Sequence, residues 1–375
     1  MPWYDPDWDY RVKITTDPTA IPSNQTDFPV HVDLAQLGSG HAFWGNVKSD
    51  GGDLRATKSD GTTEVAMELV FIDTTAKTGV VYFTSDGTLD SVTADDFYLY
   101  YGNAAVSLPA ATATYGSQNV WDSNFNCVHH MSGAAYTDLD DSTSNGNDVS
   151  AEGGNPMYDQ SGPGGQRAVD FDGTGDYLTI PHANSLSPAS VQNFTVEAWA
   201  YTDTLQSLAI VTKSRRTTGY EFWLRNNSIG NFQFYAWQSV GSTYERQYKV
   251  SGGTGVWEYF VGTITNAHLT TKDVNLFIDA DDTGLTHTED TNAMSTVSGA
   301  NVEIGRRNRA GTGDEWNFDG KISEIRISGV VRSDDWVTTT NNSISDSAFL
   351  TYGAEESNVS SPPAAAPCQA VLVML

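Results

Sequence analysis

The sequence predicts an all-β protein made of two successive sandwiches and a short extended C-terminal tail. Two observations set the class: short runs of strict apolar/polar alternation recur between Gly, Asp, Ser and Thr turns, and no long stretch carries the 3.6-residue period of an amphipathic helix. A third sets the number of units. At 375 residues the chain is too long for one ordinary sandwich, because domains cluster at roughly 100 to 200 residues.

The first series of strands comprises YRVKIT from Tyr10, FPVHVDL from Phe28, AMELVFI from Ala66, GVVYFT from Gly79 and DFYLYYG from Asp96. Evenly spaced strands of that length pair antiparallel and stack as a sandwich rather than alternating with helices. The first domain is therefore placed at residues 1–110, and the small, Pro-bearing stretch after Gly102 supplies a linker at 111–119. A second series follows: AVDFDG, DYLTIP, FTVEAWAYT, LAIVTKS, YEFWLRN, NFQFYAWQ, QYKVS, WEYFVGTI, VNLFIDA, NVEIGRR and FDGKISEIRIS. So many strands require two stacked sheets, since an open sheet of that width would curl or split. The result is a predicted jelly roll over 120–356. From 357 to 375 the composition turns to Pro, Ala and Ser, a tail without a core of its own.

Acidic residues outnumber basic ones 47 to 20, a net charge of −27. Phosphate would be repelled, which argues against nucleic acid and anionic membrane surfaces as partners. The two cysteines, Cys127 and Cys368, make neither a disulfide framework nor a zinc-binding spacing. No run approaches the roughly 20 apolar residues needed for membrane insertion. The opening MPWYDPDWDYRVKI has neither a basic n-region nor an apolar h-region, so no standard secretion signal is expected there. Abundant Gly, Thr, Ser, Asp and aromatics with scarce lysine are nevertheless the composition of an extracellular surface.

AVDFDGTGDYLTIP, from Ala168 to Pro181, packs three aspartates and two glycines into seven residues. An EF-hand is excluded, because the flanks are strand-like and no glutamate closes the loop. Together with DSTSNGNDVS (141–150), NFTVEAWAY (193–201), VEIGRRN (302–308) and FDGKISEIRISGVVRSDDW (318–336), this stretch resembles the laminin-G-like, concanavalin-A-like jelly-roll family. The first domain is similar to a small β-domain of unknown function that precedes this jelly roll in phage virion proteins and prokaryotic surface proteins. The resemblance implies that the first and last strands are neighbours, bringing Phe171-Asp172-Gly173 beside Phe318-Asp319-Gly320. Those residues suit tight turns without any ligand. Relatives that bind calcium near such loops make Asp172 and Asp319 the candidate metal ligands, with Asp170 and Asp176 behind them.

Catalysis finds little support, and no catalytic residue is assigned. A glycosidase needs two carboxylates facing each other across the sugar. The nearest run, from Asp314 to Glu324, puts acids in a turn and leaves Glu324 beside Arg326 as a cross-sheet or solvent-facing pair. Glu197 stands alone, Glu221 is expected to pair with Arg225, and His129 and His130 are expected to face the core and solvent respectively or the reverse.

Aromatics give the remaining functional signal. Tyr220, Phe222, Leu224, Phe232, Phe234 and Ala236 form the core stripe of two strands, whereas Trp223, Tyr235 and Trp237 fall on the opposite face. Exposed flat rings can stack on the apolar face of a sugar, with Asn226, Asn227, Gln233 and Gln238 as rim hydrogen-bonders. Packing against another subunit is the competing reading of the same rings. The expectation is a non-enzymatic virion structural protein of a prokaryotic virus, acting as a fibre, capsid decoration or receptor-contacting component on the particle surface. Its partners are expected to be other virion proteins, further copies of itself and a host-surface glycan. The alternatives are a secreted or cell-surface carbohydrate-binding module and, least favoured, a polysaccharide-degrading enzyme.

Overall fold

A computed structural model describes residues 2–215, 219–227, 230–237, 244–250, 253–267, 273–288, 293–294, 299–308 and 316–358. The predicted 357–375 tail, apart from residues 357 and 358, lies outside them, as do Gln238, Asp314, Cys368 and the side chain of Tyr220.

The first sandwich stacks a sheet ordered Leu350–Ser357, Tyr10–Thr16, Asp96–Tyr101, Arg55–Lys58, Glu64–Val65 on a sheet ordered Pro29–Asp33, Thr78–Thr84, Met67–Asp73. Alternation sends Val12, Ile14, Val30, Val32, Phe97 and Leu99 into the shared core. On the far side of the first sheet Tyr98 and Tyr100 are covered by Trp3, Tyr4 and Trp8 from the N-terminal arm.

One boundary differs from the sequence reading. Residues 350–356 do not belong to the jelly roll: Leu350–Ser357 is the outer neighbour of Tyr10–Thr16, with Arg11 opposite Glu356 and the two side chains 2.6 Å apart. Alternation says which residues of a strand are buried but not which sheet receives it. Val120, Trp121, Phe125, Val128 and Trp336 likewise pack into the first core.

The jelly roll has two large antiparallel sheets. One is ordered Met157–Ser161, Arg167–Asp172, Asp319–Ser328, Phe194–Thr202, Trp257–Thr265, Asp273–Ile278, with Phe125–His129 also pairing to Asp319–Ser328. The other is ordered Ala151–Gly153, Tyr177–Ile180, Val302–Ile304, Leu208–Arg215, Gly219–Asn226, Asn231–Trp237, Tyr244–Val250, Thr286–Thr288. Phe222, Leu224, Phe232, Phe234 and Ala236 all point into the core between them, as the alternation predicts. Gly262 is needed there, because a Cβ would sit 2.4 Å from the Phe234 ring.

A helix the sequence reading did not anticipate, Asp334–Ser345, returns the chain to the first sandwich. Ser333 caps it by accepting from the Trp336 N–H at 3.2 Å, and Asp334 and Asp335 in the first turn complement the helix dipole. Trp336 packs edge-on to Phe28 at 4.9 Å, while Val337 and Ile344 pack with Trp199 and Tyr259 on the outer face of the first jelly-roll sheet.

The first sandwich covers more of that same outer face, across a buried ionic seam. Glu324 accepts from His130 Nδ1 at 2.5 Å and from Arg326 at 3.0 Å, and Arg326 also donates to Tyr82 of the first sandwich at 3.0 Å. Glu68 reaches His130 Nε2 at 3.3 Å and accepts from Trp121 at 2.7 Å. Glu324 and Arg326 therefore form the expected pair, but inside the molecule rather than at a solvent-facing surface, with 1 % and 2 % exposure. Neither histidine faces solvent: His129 bonds the Asn147 carbonyl at 3.0 Å and His130 lies in the seam. With one jelly-roll sheet covered in this way, the outward face of the eight-stranded sheet is the place to look for a ligand.

Candidate ligand-binding face

Pairing register lines up one cross-strand row on that face: Ala151, Thr179, Glu303, Thr212, Trp223, Tyr235, Arg246 and Thr288. Neighbouring strands lie about 4.8 Å apart, so such a row is long enough for several sugar residues. At one end Ala151, Thr179, Ser214, Glu303, Arg306 and Asn308 line a 320 Å³ pocket. Further along, Trp223 meets Tyr235 at 5.4 Å, Trp237 at 4.4 Å and Trp316 at 5.3 Å between ring centroids, and Tyr244 closes on Trp237 at 4.7 Å.

The structure thus brings Trp223, Tyr235 and Trp237 together, but it does not expose them equally. Trp223 and Tyr235 retain only 5 % and 7 % of their surface, whereas Trp237 and Tyr244 are half-buried. Arginines account for part of the cover. The Arg307 guanidinium lies 5.0 Å from the Trp223 centroid and 3.3 Å from that of Trp316, Arg225 lies 3.8 Å from Trp316, and Arg246 lies 5.5 Å from Tyr235. A stacked sugar would therefore meet Trp237 and Tyr244 first.

The expected rim is built differently. Asn226 is fully buried, Asn227 accepts from the Asn231 N–H at 3.0 Å to close a turn, and Gln233 accepts from the Tyr235 hydroxyl at 3.0 Å. Sequence reasoning missed Arg225, Tyr244 and Arg246, although period-two spacing identifies them. Arg225 follows Trp223 by two residues, and Tyr244, Arg246 and Tyr248 alternate on one strand. Trp316 follows the undescribed residues 309–315, where no strand pattern points to it.

Near this face and elsewhere in the jelly roll, carboxylates are engaged structurally. Glu303 accepts from Arg306 at 2.9 Å and Thr179 at 3.0 Å, Glu221 accepts from Ser187 rather than facing Arg225, and Glu197 accepts from Tyr259. Cys127 is buried and free, its thiol pushed well up by burial.

The two Phe-Asp-Gly turns do meet: Asp172 pairs with Asp319 and Phe171 with Gly320. Gly320 has φ +133°, and a Cβ there would sit 2.0 Å from the Tyr201 carbonyl oxygen, so the turn admits only glycine. Asp170, Asp172, Asp176, Asp203 and Asp319 all line a 420 Å³ pocket. Most of their recorded bonds are those of turns. Asp172 accepts from the Thr174 N–H at 2.7 Å, Asp176 from Asn155 and Asp172 N–H groups at 2.6 and 3.0 Å, and Asp319 from the Thr204 hydroxyl at 2.6 Å. Burial foremost, with Asp203 and Asp319 adding repulsion against the pull of Lys321, holds the Asp170 carboxyl above its ordinary range. Among the described residues, no three acid, His or Cys side chains converge as a metal site.

Fold and face together define a jelly-roll module joined to a second β-sandwich. Residues 172–338 match the family model described as the concanavalin A-like lectin/glucanases superfamily, of laminin-G type. No curated protein matches the sequence. Among solved structures, the receptor binding domain of the botulinum neurotoxin C/D mosaic serotype is similar at 14 % identity and TM-score 0.44, over 58 % of this chain and 51 % of that one. The serotype D binding domain gives 13 % identity with the same TM-score of 0.44 and the same coverage of 58 % and 51 %. Domain 4 of AbnA, a GH43 extracellular arabinanase from Geobacillus stearothermophilus, solved with arabinotriose, gives 18 % identity and TM-score 0.42 over 57 % of this chain and 97 % of that domain. The matched part spans about half the length of the neurotoxin binding domains. Likeness at this level carries nothing about ligand or activity.

Proposed function

We propose that the jelly roll is a non-catalytic glycan-binding module that uses the outward face of its eight-stranded sheet. The observation that carries this reading is the pair of half-buried rings, Trp237 and Tyr244, 4.7 Å apart at the edge of an aromatic cluster. The hydrogen-bonded state of Glu303, Glu221 and Glu197 supports binding without turnover, since none stands as a free partner opposite a second acid. In its finer form the module belongs to a virion structural protein of a prokaryotic virus, with the first sandwich as its attachment. The first sandwich resembles a domain that accompanies this jelly roll in phage virion proteins and in prokaryotic surface proteins alike, so a secreted or cell-surface carbohydrate-binding module is the second reading.

Trp237→Ala tests the glycan reading on an array. Losing a central aromatic contact should weaken binding about 30-fold while the thermal midpoint moves by only about 2 to 4 °C. Equal binding by both proteins would remove this face from consideration, and release of product from any glycan bound would overturn the non-catalytic part.

Calcium enters the proposal as a stabilising counter-ion at the five-aspartate pocket, whose all-oxygen donors suit a hard cation. Because the ligands do not already converge, the expected gain is small. Calcium in millimolar excess over chelator should raise the thermal midpoint by about 2 °C, and an unchanged midpoint would leave Asp172 and Asp319 as turn residues.

A further inference from the structure

We propose that the glycan recognised by this face is acidic, with the carboxylate of a uronic or sialic-type sugar held between Arg225 and Arg246 while its ring rests on Trp237 and Tyr244. The proposal rests on the glycan-binding reading and names its ligand class. Both guanidinium groups flank one ring, at 5.9 Å and 5.5 Å from the Tyr235 centroid. Among the described residues neither forms an ion pair with a carboxylate. Arg246 donates to the Tyr235 hydroxyl at 3.2 Å and to the Thr288 hydroxyl at 3.3 Å, and its Nε is buried without a partner.

Arg225 is the more telling of the two. It is 93 % buried, with 7 % of its surface exposed, and its side chain makes no hydrogen bond among the described residues; Nε is fully enclosed and unpartnered. A guanidinium carries five donors, and of those on Arg225 the Nε–H is the one fully enclosed without an acceptor, which is costly in a dry setting. The Trp316 face at 3.8 Å offers a cation–π contact but no acceptor for the N–H groups, and burial, with further lowering from Arg307 and Arg246, brings the Arg225 pKa down to about 10. Nearby Arg306 is a contrast, since Glu303 sits 2.9 Å from it.

In a chain of net charge −27, solubility does not call for uncompensated arginines packed among aromatics. A bound anion does. Two oxygens in a plane match the fork of a guanidinium, so a carboxylate relieves the unpaired donors of Arg225 and the repulsion between the arginines at once. Such a group attached to a pyranose would place an apolar ring face over the half-buried Trp237 and Tyr244.

The test titrates the full chain with paired probes that differ in charge: oligogalacturonate against its methyl ester, sialyllactose against lactose, and dextran sulfate against dextran. At least one carboxylate probe should bind at least about 10-fold more tightly than its neutral counterpart. Arg246→Gln and Arg225→Lys should each weaken that binding by about 10- to 100-fold, at an unchanged thermal midpoint for Arg246→Gln. Should Arg225→Lys fail to fold, Arg246→Gln alone carries the result. Equal affinity for charged and neutral partners overturns the acidic-sugar assignment and leaves glycan binding standing. Binding to dextran sulfate alone overturns the carboxylate. Failure of every probe together with an empty glycan array overturns both.

Discussion

Glu324→Gln is expected to destabilise the protein by about 3–5 kcal/mol, the usual cost of leaving buried charge without its partner. The carboxylate is 1 % exposed and, among the described residues, the only side chain to which both His130 and Arg326 donate. Glutamine keeps the shape and one acceptor oxygen but leaves Arg326, itself 2 % exposed, without its carboxylate and His130 with Glu68 alone, at 3.3 Å. Burial alone would lower the His130 pKa, yet Glu324 and Glu68 raise it from 6.5 to about 10. Burial alone would raise Glu324, yet His130 and Arg326 bring it from 4.5 down to about 2.

A raised imidazole contributes stability that is complete below its unfolded pKa of 6.5 and fades as pH climbs through about 10. A depressed carboxyl contributes stability that is complete above 4.5 and fades as pH falls through about 2. Both contributions are whole only between 4.5 and 6.5. Buried His31, lowered to about 4 chiefly by burial, works against the acid side of that window, because the folded chain resists its protonation below 6.5. Urea midpoints at pH 6 and pH 9.5 check this. The wild type should lose stability between the two, and the variant, already low at pH 6, should lose much less. A variant within about 1 kcal/mol of wild type at pH 6, the scale of a surface pair, would refute the seam as an energetic element.

That seam also shows what the sequence could and could not reveal. Period-two alternation placed Phe222, Leu224, Phe232 and Phe234 in the core and Trp223, Tyr235 and Trp237 opposite them, because within one strand the side-chain period alone decides the face. Isoleucines 322, 325 and 327 all enter the core, a spacing of three and then two that marks the bulge re-aiming Glu324, which has φ +49°. The phase break was legible; its destination was not. Which sheet face is covered depends on contacts between residues hundreds of positions apart, such as Tyr82 with Arg326. The same holds for the candidate face. Its aromatic ladder could be read from one strand at a time, but the arginines over it come from three segments that only the pairing register unites.

Ending the chain at Ser345 is expected to unfold the first sandwich, although all of the removed residues lie in what the sequence assigned to the second unit and the tail. The described part of the removed segment supplies an edge strand whose backbone pairs with Tyr10–Thr16 from Tyr10 opposite Ser357 to Thr16 opposite Leu350. It also supplies Phe349 and Leu350 to the first core, and Glu355 as acceptor for Tyr101 at 3.0 Å and Asn46 at 2.8 Å. Arg11, only 4 % exposed, would lose the carboxylate of Glu356 and remain enclosed between Trp3 and Tyr98, whose centroids lie 4.6 and 4.1 Å away. Burial of a Phe or Leu side chain is worth about 1.5–3 kcal/mol each, and an orphaned buried charge costs about as much again or more. Their sum reaches the roughly 5–15 kcal/mol that holds a whole domain together. Hydrogen exchange should show amides of residues 10–101 unprotected in the truncated chain. A peptide of residues 346–358 added in trans should restore them by completing the sheet edge. Full protection without the peptide would mean that the first sandwich stands without its last strand, and that the return of the chain through the Asp334–Ser345 helix is not what closes it.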